Sequence, residues 1–442
     1  MSYSGAGEVA GEVRLRRPER RQMALVPQCT DDLVAATHGV RTVVAVVTKL
    51  DLSAFREPIK AREGVAGRDA TDPELLVALW LYGCIRGIGS ARELARRCEE
   101  SAPFRWLCGG VSVNHRMLSD FRTDHGEALD QLFTQVIASL VDQELVSVSR
   151  VSQDGVRVRV SAGSASFRRE ERLRKLLAES QKHVEELRRQ VEEPEMLSVA
   201  ATKKKKGEQR VAQERQRRLE QALAQLPELQ QRQQERASRA GQGKYGQKIR
   251  NQELRVSTSD PQARVMKMPN GGYNAAYNVQ LASDPQSRAI VGVEVSNQGY
   301  DSCGLSEAMR EQVERRSGRK VRQQLLDGGY LRNRDIERAH QQKVELFVPP
   351  KGARTAKNRG RELELHRGDS EAIQAWKQRM ASEEGQKIYQ QRAATSETIN
   401  ADLRSYRGLT QITVRGLNKA RCVALWCALA YNLMHFASAL QQ

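Results

Sequence analysis

Aromatic residues make up only 5% of this 442-residue chain, against 39% hydrophobic residues in all, so its core must be built from aliphatic side chains. Cysteine is sparse too. The seven cysteines (Cys29, Cys84, Cys98, Cys108, Cys303, Cys422 and Cys427) are odd in number and form no CxxC pair. That argues against a disulfide framework or a zinc ribbon, and for reduced thiols in a cytoplasmic protein. Met1–Gly11 is small, polar and acidic, which is not the pattern of a signal peptide. Cys422–Leu440 runs 19 residues without a charge, but Tyr431, Asn432, His435 and Ser438 interrupt it. The expectation is a buried core helix and no membrane partner. What the chain has in excess is positive charge: 72 Lys and Arg against 54 Asp and Glu, a formal +18. With a pI near 9.8, it suits a polyanionic partner. The length allows two or three domains.

The first forty residues read as irregular and mobile, with a basic cluster at Arg14–Arg21. Asp72-Pro73-Glu74 then opens an apolar helix through Ile85, with proline at its first position, and Gly87 and Gly89 end it. Ser90 caps a second helix, Ala91–Glu99, and Glu93 completes a capping box. Phe104 and Trp106 lie in a short aromatic link, and Asn114 begins a helix through Arg122 with His115, Arg116 and Arg122 on its outer face. Short helices with a basic last member resemble a helix-turn-helix module. An ordinary helical bundle is the competing reading, and His115 fits a capping or packing role as well as a DNA contact.

Strand patterning starts at Val146, with Val156, Val158 and Val160 on one face and Arg157 and Arg159 on the other. It is interrupted by Ala165–Arg250. There Leu173, Leu177, Ser180, Val184, Leu187 and Val191 form a coiled-coil seam, and Ala212–Leu226 form a weaker one beyond the loop Lys203–Lys206. The expected product is an antiparallel helical hairpin with 22 basic and 13 acidic residues, half of the chain's charge excess. Strands then resume at Arg264–Met268, Tyr277–Ala282, Ile290–Ser296, Val321–Leu326 and Leu346–Val348, with helices at Leu305–Arg315 and Arg332–His340. That order is close to an RNase H-like fold.

Three carboxylates stand out within this order. Asp154 follows the valine-rich run Val146–Val151, Asp327 closes a strand, and Glu397 lies in the helical pattern Gln386–Tyr406. A carboxylate at a strand end reaches solvent from a rigid backbone. Two of them and a glutamate on a covering helix suit two hard divalent cations. With the charge excess, a nucleic-acid backbone is the matching substrate. The plainer readings are that Asp154-Gly155 and Asp327-Gly328 are turn pairs, and that Glu383 or Glu384 rivals Glu397. Asp260, before Pro261, reads as a loop cap.

Several blocks occur in a specific order: Gln153-Asp154-Gly155-Val156-Arg157, Ser259–Arg264, Gly271-Gly272-Tyr273 leading to Tyr277-Asn278-Val279-Gln280, and Asp327-Gly328-Gly329-Tyr330. Tyr389, Arg392 and Glu397 follow on one helix, and Arg415–Arg421 closes the set. From about Pro73 to Phe436 the chain resembles the DDE transposases of bacterial insertion sequences. The branch is the one whose catalytic helix carries a tyrosine, an arginine, the glutamate and then a lysine. The lysine's place is taken by Arg404. Seven residues turn a helix by about 700°, so Arg404 lies within about 20° of Glu397 and can still meet a phosphate. Arg392, about 140° from Glu397, reads as supporting the fold.

The resemblance implies an α/β architecture: an RNase H-like catalytic domain (141–164 and 251–442), an inserted hairpin (165–250) and an all-α DNA-binding domain (41–140), after a mobile segment (1–40). It implies metal-dependent cleavage and strand transfer at the ends of an insertion sequence. Asp154, Asp327 and Glu397 would be both catalytic residues and ligands of two Mg²⁺ or Mn²⁺ ions. Arg116, Arg122, Arg404, Arg415 and Lys419 would contact double-stranded DNA, with Tyr389 and Arg392 in support. A homodimer on DNA follows from the need to hold two element ends. Two other readings stay open: a DNA-binding protein whose catalysis has decayed, and a nuclease of the same fold that does not join strands.

Overall fold

The computed structural model describes residues 29–64, 66–192, 199–301, 304–350 and 367–441. Arg14–Arg21, most of the segment 1–40, and Cys303 lie outside the described residues.

The alternation of valine and arginine after Gly155 belongs to a strand that runs unbroken from Arg150 to Val160 (β1). Asp154 and Gly155 are therefore inside a strand, and the Asp-Gly turn does not form. Val146 and Val148 are buried but precede it. The further strands are β2 (Phe167–Arg168), β3 (Val256–Ser257), β4 (Arg264–Lys267), β5 (Tyr273–Ser283), β6 (Ile290–Ser296), β7 (Gln323–Leu326), β8 (Glu345–Phe347) and β9 (Gln411–Ile412). Seven of them form a mixed sheet in the order β4-β5-β1-β7-β8, with β6 also beside β5 and β9 also beside β1. β1 is antiparallel to β5 and parallel to β7 and β9. β2 and β3 make a separate two-stranded ladder at the base of the hairpin.

The apolar run near the end of the chain forms the helix Leu417–Leu440, most of whose first seventeen residues are buried. It is the one helix among the described residues long and apolar enough to cross a membrane, and 67% of its apolar window is covered by the protein. Asn432 explains the polar interruption: its side chain accepts from the N–H of Ile290 (2.9 Å) and donates to the carbonyl of the same residue (2.8 Å), tying the helix to β6. Helix Pro73–Ile85, capped by Asp72 as expected, and helix Gly126–Asp142 pack against this terminal helix. One apolar cluster accordingly runs from Val40 through Trp80 and Phe133 to Val156, Tyr277 and Trp426, so the N-terminal helices share their core with the sheet.

Several local expectations change. Phe104 and Trp106 lie in a helix, Ala102–Cys108. Lys203–Lys206 is not a loop but part of the helix Val199–Ala224, which packs on Glu170–Glu192 to make the hairpin. Ser90 caps its helix, but the Glu93 carboxylate turns to Arg96 and Arg97 rather than closing a capping box.

Arg122 is the largest correction. It does not lie on an outer face and contacts no DNA from there: it is 4% exposed, its guanidinium lies 4.5 Å over the Trp80 ring, and Nη1 donates to the Gly89 carbonyl at 2.7 Å. Its own carbonyl accepts from the indole of Trp426 (3.1 Å). A long amphipathic stem on an aromatic face is worth more to packing here than a surface cation would be. Arg122→Ala is expected to lower stability by about 2–3 kcal/mol in urea unfolding, from the lost ring contact and charged hydrogen bond. An unchanged midpoint would mean that Trp80 and Trp426 hold this junction unaided.

Candidate active site

Along one side of β1 the neighbouring strand changes. β7 pairs with Arg150–Gln153 and its last residue, Leu326, lies opposite Gln153. β9 pairs with Arg159 and Val160. Asp154 falls in the gap between them, at the middle of its own strand but at the end of its neighbour. Asp327 is the residue after Leu326, so the two aspartates are consecutive to a register pair on adjacent parallel strands. Such strands lie about 4.8 Å apart.

The helix Glu383–Tyr406 crosses this gap. Ser396 meets Ser152 of β1 (Oγ–Oγ 2.9 Å), which fixes the helix over the strand. Asn400 Nδ2 donates to Asp154 Oδ2 at 3.0 Å, and the Gly155 N–H donates to Oδ1 at 3.0 Å. Arg392 reaches both acids: Nη1 is 3.6 Å from Asp154 Oδ1 and Nη2 is 3.8 Å from Asp327 Oδ1. Its guanidinium also lies 5.9 Å from the centre of the Tyr389 ring. Arg392 is thus more than the fold support expected of it, since it bridges the carboxylates.

Burial pushes the Asp154 carboxyl above the usual aspartate value, and the nearby charges of Asp327 and Asp301 add to the rise; Arg392 and the Gly155 N–H pull the other way. Burial works against the charge of Arg392, but Tyr389, Asp154 and Asp327 outweigh it and hold its pKa above the ordinary value. Tyr330 is driven well up by burial and by the three aspartates, and its hydroxyl donates to Gln280.

Asp301 is a site residue that the sequence did not single out. Its Oδ1 accepts from Asn278 Nδ2 (2.7 Å) and Gln280 Nε2 (2.8 Å). Gly155 is glycine because of this group: a Cβ there would lie 2.7 Å from Asn278 Oδ1 and 2.8 Å from Asp301 Oδ1. The available signal was Asn278 and Gln280, two polar residues alternating with Tyr277, Val279 and Leu281 in the middle of a buried strand. Asn400 carried no comparable signal. Asp260 behaves as the loop cap expected, receiving the Tyr277 hydroxyl (2.8 Å) and the N–H groups of Gln262 and Gly416.

The structure brings Asp154 and Asp327 to neighbouring positions under Arg392. Glu397 is exposed on the crossing helix, about 60° around from Asn400 and about 140° from Arg392. Among the described residues, no three Asp, Glu, His or Cys side chains converge as a metal site. The donor chemistry still suits a hard divalent cation, because two carboxylates share one positive charge and the Arg392 guanidinium stands in for it. Arg404 is exposed. Arg415 pairs with Glu214 of the hairpin (3.6 Å) and Lys419 with Asp124 (3.7 Å). The Arg116 side chain is 83% exposed.

Two family models match the chain. A transposase domain (DUF772) matches residues 28–124, and a transposase DDE domain matches residues 349–437. The second covers Tyr389, Arg392, Glu397 and Arg404; neither reaches Asp154 or Asp327. No curated protein and no solved structure matches the chain.

The electrostatics predict a pH dependence. Because burial raises the Asp154 pKa, its ionisation opposes folding; that cost is absent below the ordinary value of 3.8 and complete once the pH passes the raised one. Arg392→Gln removes the main attraction that offsets burial and raises the pKa further. The variant is expected to lose stability relative to the parent at pH 7 and to approach it near pH 4, measured by urea unfolding at both. A loss of equal size at both would show that Arg392 acts by packing alone.

Proposed function

We propose that this chain, matched by two transposase family models as an insertion-sequence DDE transposase, cuts DNA at the ends of its element and joins the freed 3′ ends to target DNA. The observation that carries this reading is the aspartate pair on adjacent parallel strands, bridged by the cation of a crossing helix that also bears Glu397. In an RNase H-like domain of this kind Asp154 and Asp327 would hold Mg²⁺ or Mn²⁺, and Glu397 would complete the set by turning inward from the exposed side of its helix. Two bound ions supply an activated water and stabilisation of the leaving oxygen.

The chain's own residues set the conditions for that chemistry. Asn400 and the Gly155 N–H fix the orientation of Asp154 through both its oxygens. Arg392 screens the two carboxylates from each other and would turn to a phosphate once a cation took its place. Arg404, on the face of Glu397, with Arg415 and Lys419, would grip phosphates alongside. The helices of 41–140, with Arg116 exposed, would read the duplex at the element ends, and a homodimer in the cytoplasm would bring two ends together. The bridging place of Arg392 speaks against a purely structural role for it.

A second reading has a specific observation in its favour. Glu397 is exposed and arginine stands at 404, as in a chain that still binds DNA but has ceased to cut it.

The two readings separate by mutation. Asp327→Asn should leave duplex binding intact, with affinity falling steeply as salt rises, and should reduce nicking by at least about 10²-fold. Arg116→Ala should weaken binding of the same end-containing duplex while the carboxylates stay whole. Nicking by the parent chain that Asp327→Asn does not diminish would sink the assignment; no nicking by the parent at all would favour the second reading. Nicking without joined products would leave a nuclease.

A further inference from the structure

A groove of about 650 Å³ lies between the base of the hairpin and the edge strand β4. Five cations line it: Arg232 and Arg236 from the helix Leu226–Ala240, Arg255 beyond it, and Arg264 and Lys267 from β4. The one acidic residue among the lining side chains, Glu253, is already engaged by Arg169 (2.6 Å) and Arg255 (3.3 Å). Arg232 is paired with Glu228 at 2.5 Å. Among the described residues no carboxylate stands in ion-pair range of Arg236, Arg264 or Lys267.

Arg264 is the informative member. Its guanidinium is held in place by the carbonyls of Pro261 and Ala263 and by Gln225, while its buried Nε meets no acceptor. Burial, and after it the neighbouring Arg232, push its pKa down, against a smaller opposing pull from Glu228, Tyr277 and Asp260. A fixed cation whose direct hydrogen-bond partners are all neutral, with one buried N–H left over, can still take an anion from outside the chain.

The groove also has a direction. Gly299 and Tyr300 line its end, and Arg157 of β1 donates to the Gly299 carbonyl at 3.0 Å. The next residue is Asp301, which lies against Gly155 beside Asp154. Tyr300 is 39% exposed, and Tyr273, 70% exposed, is the register partner of Lys267. Cations along a groove with aromatic rings at its edge are the features that hold a nucleic-acid strand without regard to its sequence.

We infer that this groove binds a single DNA strand where it enters or leaves the aspartate pair, with phosphates on Arg236, Arg264 and Lys267. The strand's destination rests on the proposed function; its binding does not. The site is separate from the duplex contacts assigned to Arg116, and it gives the hairpin a role, since two of the five cations come from it.

The test uses the full chain without divalent cation and a fluorescent oligothymidylate of about 15 nucleotides, a length within the range such grooves cover. Arg236 and Lys267 are exposed, so the double variant Arg236→Ala/Lys267→Ala leaves the core alone. Its affinity for the oligonucleotide in anisotropy titrations should fall about tenfold at 0.1 M salt, and the slope of log affinity against log salt should shrink by about 1.4, or 0.7 per lost phosphate contact. Arg116→Ala should leave both quantities unchanged. An unaltered slope in the double variant overturns the proposal. So does an equal loss on a blunt duplex of the same length, which would make the groove a general polyanion surface. Because cleavage is not measured, an inactive chain that binds in this way would refute the proposed function and leave the groove standing.

Discussion

The parallel pairing of β1 with β7, stopping at Gln153 and Leu326, is the constraint on which the rest depends. It delivers two aspartates to neighbouring positions from parts of the chain 173 residues apart. Two carboxylates at that spacing repel, and burial makes Asp154 harder to ionise. Something positive must lie between them. The helix Glu383–Tyr406 supplies it as Arg392, and its register over β1 is held by Ser396 on Ser152 and Asn400 on Asp154. The unfavourable electrostatics of the paired carboxylates are thus relieved by a single side chain from the crossing helix.

Around the site the packing is continuous. The terminal helix Leu417–Leu440 is clamped to β6 by Asn432 and to the N-terminal helices by Trp426, whose indole donates to the carbonyl of Arg122. Arg122 in turn stacks on Trp80. The helices that carry Arg116 are thus joined to the sheet that carries Asp154 through a shared apolar core, and the orientation of one fixes the orientation of the other. The hairpin is different in kind. Leu173, Leu219, Ala222, Leu226 and Val256 form a small cluster of their own at its base, and polar links such as Arg264 to Gln225 join it to the sheet.

How much of this the sequence disclosed differs by residue. Strand alternation identified the segment after Gly155, proline at Pro73 and the Asp72 cap identified the first long helix, and Asp327 stands directly after a strand as expected. The burial of the stretch Cys422–Leu433 was legible because Asn432 and Tyr431 fit a protein interior better than lipid. Three things were not. Asp154 reads as a strand-end carboxylate, with an Asp-Gly turn as the plainer alternative, but the strand runs on through Gly155, which serves a close approach of Asp301 and Asn278 that only tertiary structure reveals. Arg122 has the helical spacing of a surface cation, and nothing local says that its guanidinium will stack on Trp80 and its carbonyl take the Trp426 indole. The place of Arg392 between the acids depends on the helix's rotation about its axis, which is set by Ser396 and Ser152 across 244 residues of sequence.

If the chain cuts DNA as proposed, a divalent cation takes the place now held by the Arg392 guanidinium and draws Glu397 to the aspartates. The most direct measurement is anomalous scattering from Mn²⁺ in crystals of the chain bound to end DNA. Metal-dependent cleavage at this site predicts a peak between Asp154 and Asp327, with oxygens of both and of Glu397 at about 2.1 Å, close to the Mg²⁺ distance, and Arg392 displaced towards a phosphate. Arg392 still bridging the two carboxylates, with the cation elsewhere or absent, would contradict it.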